Sequence, residues 1–198
     1  MCKEFESKMT MKVTFNLSDG DLKYFRKIMR EVRERHKSSS EETIVGAARE
    51  LIASVSATSV PDFITERIQK LSQLIDMLED HEWALAGRDR ERVVRGMAYF
   101  AEPDDMIPDK VPVLGFLDDA IMVELVVTEL KHELEAYEDF CTYRENQEKR
   151  FGRDADEATR EEWLSARRRA LHQRMRRRRS RRSPRSSSAP HKSPISLW

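Results

Sequence analysis

The chain has 198 residues, 39% of them hydrophobic and 36% charged, with six glycines; this suits one domain plus an appendage and favours helices over a strand-rich fold. Two cysteines, Cys2 and Cys141, exclude a disulfide framework and a zinc-ligand spacing, and a reducing cytoplasm is the expected compartment. The formal net charge of zero hides an asymmetry: eleven Arg and one Lys from Arg167 onward meet no acid, which leaves 24 basic against 36 acidic residues before them.

Residues 1–17 read as a leader without the apolar run of a signal peptide. Within them "MKVTFNL" is expected to be briefly extended. Ser18 with Asp21 predicts a helix start, because a hydroxyl N-cap and an acid at the third position satisfy free N–H groups. Leu22, Phe25, Ile28, Met29 and Val32 continue it at helical spacing. "HKSSSEE" ends that helix and caps a second, with Ile44, Ala47, Ala48, Leu51, Ile52 and Val55 on its stripe. Pro61 opens a third, whose stripe runs from Phe63 to Leu78. "DHEWALAG" around Trp83 reads as a short helical connector. A fourth helix is expected from about Arg90 to Phe100.

The stretch "EPDDMIPDKVPVLGFLDDAIMVELVV" then combines prolines, a glycine and aspartates with an apolar run. One long helix is expected from about Phe116 to Lys149, apolar nearly all round in its first half and therefore buried. A last helix is expected from about Asp156 to Met175, followed by a low-complexity basic tail.

Several chemistries compete for these residues. Val111 to Leu130 has the length of a membrane span. Its large apolar residues favour insertion by about 4–7 kcal/mol, whereas Asp118, Asp119 and Glu124 cost about 8–10 together, so spanning is disfavoured. Asp104, Asp105, Asp109, Asp118 and Asp119 offer hard oxygen ligands, with Asp109, Asp118 and Asp119 the metal candidates. The competing assignment is that they cap helices in a proline-rich turn. Asp118 and Asp119 face apolar neighbours and so require a cation or N–H donors; Arg92 and Arg95 are the expected ion-pair partners. Glu129 and His132 have half the spacing of a carboxylate-bridged metal bundle, without a second copy, and His132 reads as solvated. No nucleophile, phosphate-loop or dinucleotide motif is found. Arg174, Arg176, Arg177, Arg178, Arg179, Arg181 and Arg182 suit non-specific electrostatic binding to a polyanion, without aromatic residues for base stacking.

Pro103, Asp105, Ile107, Pro108, Asp109, Pro112, Val113, Gly115, Asp118 and Asp119, with Met106 and Val111 as apolar equivalents, resemble the YkvA-type domain family over residues near 98–137. The resemblance implies a helical hairpin as the core element, a mostly bacterial distribution and no established activity. Members are often described as membrane-associated. Glu102, Asp104 and Lys110 stand where the family carries a serine and apolar residues, which makes this hairpin more polar.

The expectation is an all-α domain over residues 18–166 with five to seven helices, built on a YkvA-type hairpin, and a disordered Arg/Ser-rich tail over 167–198. The expected function is a non-enzymatic interaction or adaptor module with an unidentified protein partner. The alternatives are binding of nucleic acid or anionic lipid through the tail, and metal-dependent activity at the aspartate turn. No cofactor or small-molecule substrate is inferred. A cytoplasmic location is expected, with membrane association as the alternative.

Overall fold

The computed structural model describes residues 16–103, 106–107, 111, 114–151 and 157–182. Among them the chain forms seven α-helices and one 3-10 segment. Most of the leader, including the expected extended piece, lies outside the described residues. So do Asp104, Asp105, Pro108, Asp109, Pro112 and Val113.

Local chemistry sets the helix starts. Helix α1, Asp19–Arg35, begins at Ser18, whose hydroxyl accepts from the Asp21 N–H while the Asp21 carboxylate accepts from the Ser18 N–H. Helix α2, Glu41–Ser56, begins at Ser40, which accepts from the Thr43 N–H. Helix α3, Asp62–Glu79, starts directly after Pro61. The connector around Trp83 is a turn and not a helix. Asp80 builds it by accepting from the N–H groups of Glu82 and Trp83, both at 2.9 Å. Helix α4, Gly87–Gly96, is shorter than expected and passes into the 3-10 segment Met97–Ala101.

The expected long helix is two. Helix α5, Leu117–Glu129, and helix α6, Lys131–Phe151, are separated at Leu130, whose φ −94° and ψ 16° leave the helical region. The break lets Leu130 sink fully into the core against Gly96 at the end of α4. A Cβ on Gly96 would stand 3.0 Å from Leu130 Cδ1, so glycine permits the approach. The sequence pattern continues across the break because Leu130 and Leu134 keep helical spacing.

Helix α5 lies against α3, α2 packs on α3 and on the 3-10 segment, and α7, Glu157–Arg182, runs along α6. Nine residues of α5 are buried, from Leu117 to Val126, as expected for a helix apolar nearly all round. The expected domain end at residue 166 is corrected by α7. This helix continues to Arg182, and its Leu164, Leu171 and Met175 are buried. Residues 167–182 are therefore part of the folded body. Residues 183–198 lie outside the described part.

Candidate functional site: an aspartate corner and an arginine cleft

The corner before α5 is closed by backbone donors. The Asp118 carboxylate accepts from the N–H groups of Met106 at 3.0 Å and Ile107 at 3.1 Å, and from the Tyr99 hydroxyl at 3.4 Å. Asp118 is 1% exposed. Burial raises its pKa above the ordinary carboxylate value, and the N–H groups of Ile107, Met106 and the start of α5 pull it back in part. One carboxylate thus ties the turn to the 3-10 segment and to α5. Gly115 is buried here, and its N–H donates to the Val111 carbonyl at 2.9 Å. Pro103 is exposed, and Ile107 packs against the core.

Arg92 and Arg95 do not reach Asp118, contrary to expectation. Arg92 Nε donates to Glu133 at 3.1 Å, and Arg95 pairs with Glu91 on its own helix at 3.4 Å. Their helix turns them toward α1 and α6, away from the corner. Asp119 is buried beside a cavity of about 360 Å³ that Glu50 and Glu102 also line. Among the described residues no three His, Cys, Asp or Glu side chains converge as a cation cage.

The arginines that leave the corner meet others in a cleft. Two adjoining cavities, about 460 and 410 Å³, lie between α1, α4 and the α5–α6 junction. They share Arg92, Glu129 and Arg179. Arg26 and His132 line the first, and Arg33, Arg88 and Arg95 line the second. The placement follows from helical spacing: 26 and 33 share one face of α1, and 88, 92 and 95 share one face of α4. Arg33 donates to Glu129 at 2.8 Å, and its Nε is buried without a hydrogen-bond partner. His132 is mostly buried and not solvated as expected, and its Nδ1 also lacks a hydrogen-bond partner.

Helix α7 closes one end of this cleft through its arginines. Arg179 donates to Glu133 at 3.0 Å and to Asp89 at 2.8 Å, and Arg176 donates to Asp89 at 2.7 Å. Burial alone would raise the Asp89 pKa, but the Arg176 and Arg179 hydrogen bonds outweigh it and hold the group below its ordinary value. Arg174 pairs with Asp139, and Arg178 with Glu135 at 2.8 Å. Arg177 and Arg181 are exposed on the outer face; the Arg182 side chain lies outside the described part. Asp89 and Glu133, nearly fully buried, were missed in the sequence. Their signal was an acid on an apolar stripe: Asp89 four residues before Val93, and Glu133 beside Leu130 and Leu134.

Residues 93–125 match the family described as "Protein of unknown function (DUF1232)". The "Uncharacterized membrane protein YkvA" of Bacillus subtilis (strain 168) is 35% identical over 77 residues, covering 36% of this chain and 71% of that protein. No solved structure matches. The family match contains the aspartate corner and most of α5; of the cleft arginines it contains Arg95.

Proposed function

This chain belongs to the YkvA-type DUF1232 family of proteins of unknown function, and we propose that it is a non-enzymatic interaction module that docks on an anionic membrane surface through the outer face of α7. The carrying observation is the row Arg169, Arg177 and Arg181. These residues are exposed at helical spacing and pair with no carboxylate among the described residues. Arginines on the inward side of the same helix are consumed by Asp89, Glu133 and Asp139. A basic helix face attracts anionic headgroups by about 1 kcal/mol per Lys or Arg, so three residues supply about 3 kcal/mol.

Two further observations favour a peripheral contact. The YkvA relative carries "membrane protein" in its name. Among the described residues of this chain no helix is long and apolar enough to cross a membrane. The outer face of α7 presents arginine without an apolar wedge, so attachment is electrostatic and sensitive to salt. In this reading α1 to α6 form the body that an unidentified protein partner meets at the surface.

Co-sedimentation with vesicles tests it. The full chain should pellet with vesicles containing phosphatidylglycerol at low salt, not with phosphatidylcholine alone, and be released at high salt. R169E/R177E/R181E should remain in the supernatant. Equal pelleting of that variant, or no pelleting of the wild type, overturns the reading. Retention on DNA without retention on vesicles moves the contact to nucleic acid.

A further inference from the structure

We propose that the arginine cleft between α1, α4 and the α5–α6 junction binds a small compound bearing a diphosphate group. This is distinct from the surface contact of α7, because it uses the opposite side of the α7 arginines and a different set of residues.

The cleft has two lobes and a shared boundary. Arg26 stands in one lobe and Arg88 in the other, with Arg92 and Arg179 between them. Each lobe is of a size that suits a small ligand. The lining holds six arginines against Glu34, Glu91 and Glu129. Behind the wall, Glu133 and Asp89 hold Arg92 and Arg179, and Arg176 shares Asp89. Including these, arginines outnumber carboxylates by seven to five.

Donors are left over. A guanidinium carries five N–H donors in a rigid fork. Arg33 spends Nη2 on Glu129 and leaves a buried Nε unpaired. Arg179 spends its two terminal nitrogens on Glu133 and Asp89, and those bonds fix its orientation. Arg26 and Arg88 are exposed and make no ion pair or hydrogen bond among the described residues. The guanidinium groups of Arg26 and Arg88 therefore keep their N–H donors for an anionic ligand oxygen in the two lobes.

Phosphate fits this arrangement better than a carboxylate does. Its oxygens point in several directions, as donors arriving from three helices require, and fixed guanidinium forks match it. Two lobes with a shared pair of arginines suit two linked phosphates. Glu129 at the boundary does not oppose this, because Arg33 and Arg92 already meet its charge, at 2.8 and 3.7 Å.

The test uses the full chain and sodium pyrophosphate in isothermal titration at low salt, with thermal unfolding in parallel. The expected result is saturable one-site binding and a raised midpoint. R26A/R88A should fold with an unchanged ligand-free midpoint and bind at least about tenfold more weakly, the loss of one or more charge-assisted hydrogen bonds. R169A/R177A/R181A should bind pyrophosphate like the wild type, so failure of the cleft and failure of the α7 surface contact are read separately. Absence of binding, or binding that R26A/R88A leaves intact, overturns the proposal. A phosphorylated lipid headgroup offers the same chemistry, so R169A/R177A/R181A is also given vesicles containing a phosphorylated inositol lipid. Retention lost on adding R26A/R88A assigns the group to a lipid, and pyrophosphate binding without retention assigns it to a soluble compound.

Discussion

Helices α5 and α7 are both held against the body of the protein, by opposite means. Helix α5 is wrapped in apolar contacts and has its deepest carboxylate, Asp118, met by backbone N–H groups. Helix α7 buries Leu164, Leu171 and Met175 and is otherwise clamped by arginines on Asp89, Glu133, Glu135 and Asp139. Apolar burial is indifferent to salt and scales with area removed from water. Ion pairs at a half-exposed interface are weakened by salt and by pH. The central element should therefore fail only with the whole domain, and the terminal helix should open on its own.

The strongest challenge to that contrast is Met122→Ala in α5. Met122 is fully buried, and its truncation should cost about 2–5 kcal/mol in urea unfolding, to the same extent at low and high salt. Loss confined to one segment in hydrogen exchange would break the distinction. Asp118→Ala comes next, at about 1–3 kcal/mol in all, because the half-buried Met106 and Ile107 N–H groups lose their acceptor. Asp118→Asn keeps an acceptor and should be far milder. Because the folded pKa of Asp118 is raised, its contribution is fully present below the ordinary value of 3.8 and is lost as pH rises through the folded value. The thermal midpoint of Asp118→Asn should accordingly gain on the wild type from acid toward neutral pH.

Asp89→Ala sharpens the other side. It removes charge-assisted bonds from Arg176 and Arg179, and amide exchange in α7 should accelerate by the equivalent of about 1.5–3 kcal/mol, with α5 unchanged. The Asp89 pKa is lowered, so its contribution is present above 3.8 and is lost as pH falls through the lower folded value. A smaller effect is expected at His172, whose ring lies 4.2 Å from Trp83. Burial, then Arg176, lowers its pKa from 6.5, with Asp89 opposing and Arg168 adding to the shift. Stability should fall as pH drops below 6.5 toward the folded value, and His172→Leu should remove that slope in urea midpoints. Arg95→Ala should sit at the bottom, within about 0.5 kcal/mol, since its pair with Glu91 is exposed.

The parts of this fold legible in the sequence were those governed by local rules. Ser18, Ser40 and Pro61 mark helix starts because the free N–H groups there demand such residues, and the stripes of α1 to α3 follow from spacing. The YkvA-like residues located the corner. The donors to Asp118 stayed hidden because they are main-chain N–H groups, which no side-chain pattern encodes; Arg92 and Arg95, on the neighbouring helix, stood in for them. The start of α7 was legible, but its continuation past Met175 and its place in the folded body were hidden by dilution. Leu164, Leu171 and Met175 keep one face, but the arginines around them resemble a solvated tail until the acids opposite are known. Those acids lie far back in sequence, Asp89 on α4 and Glu133 on α6. The cleft was hidden for the same reason, since its arginines come from α1, α4 and α7.

The docking of α7 also bears on how the chain matures. Synthesis delivers the N-terminal part first, and residues 1–166 carry 24 basic against 36 acidic side chains. Until the last helix emerges, the growing polypeptide is a polyanion whose like charges oppose compaction. Arg174, Arg176, Arg178 and Arg179 then reach Asp139, Asp89, Glu135 and Glu133. The helix made late acts as the counterion of the body made before it.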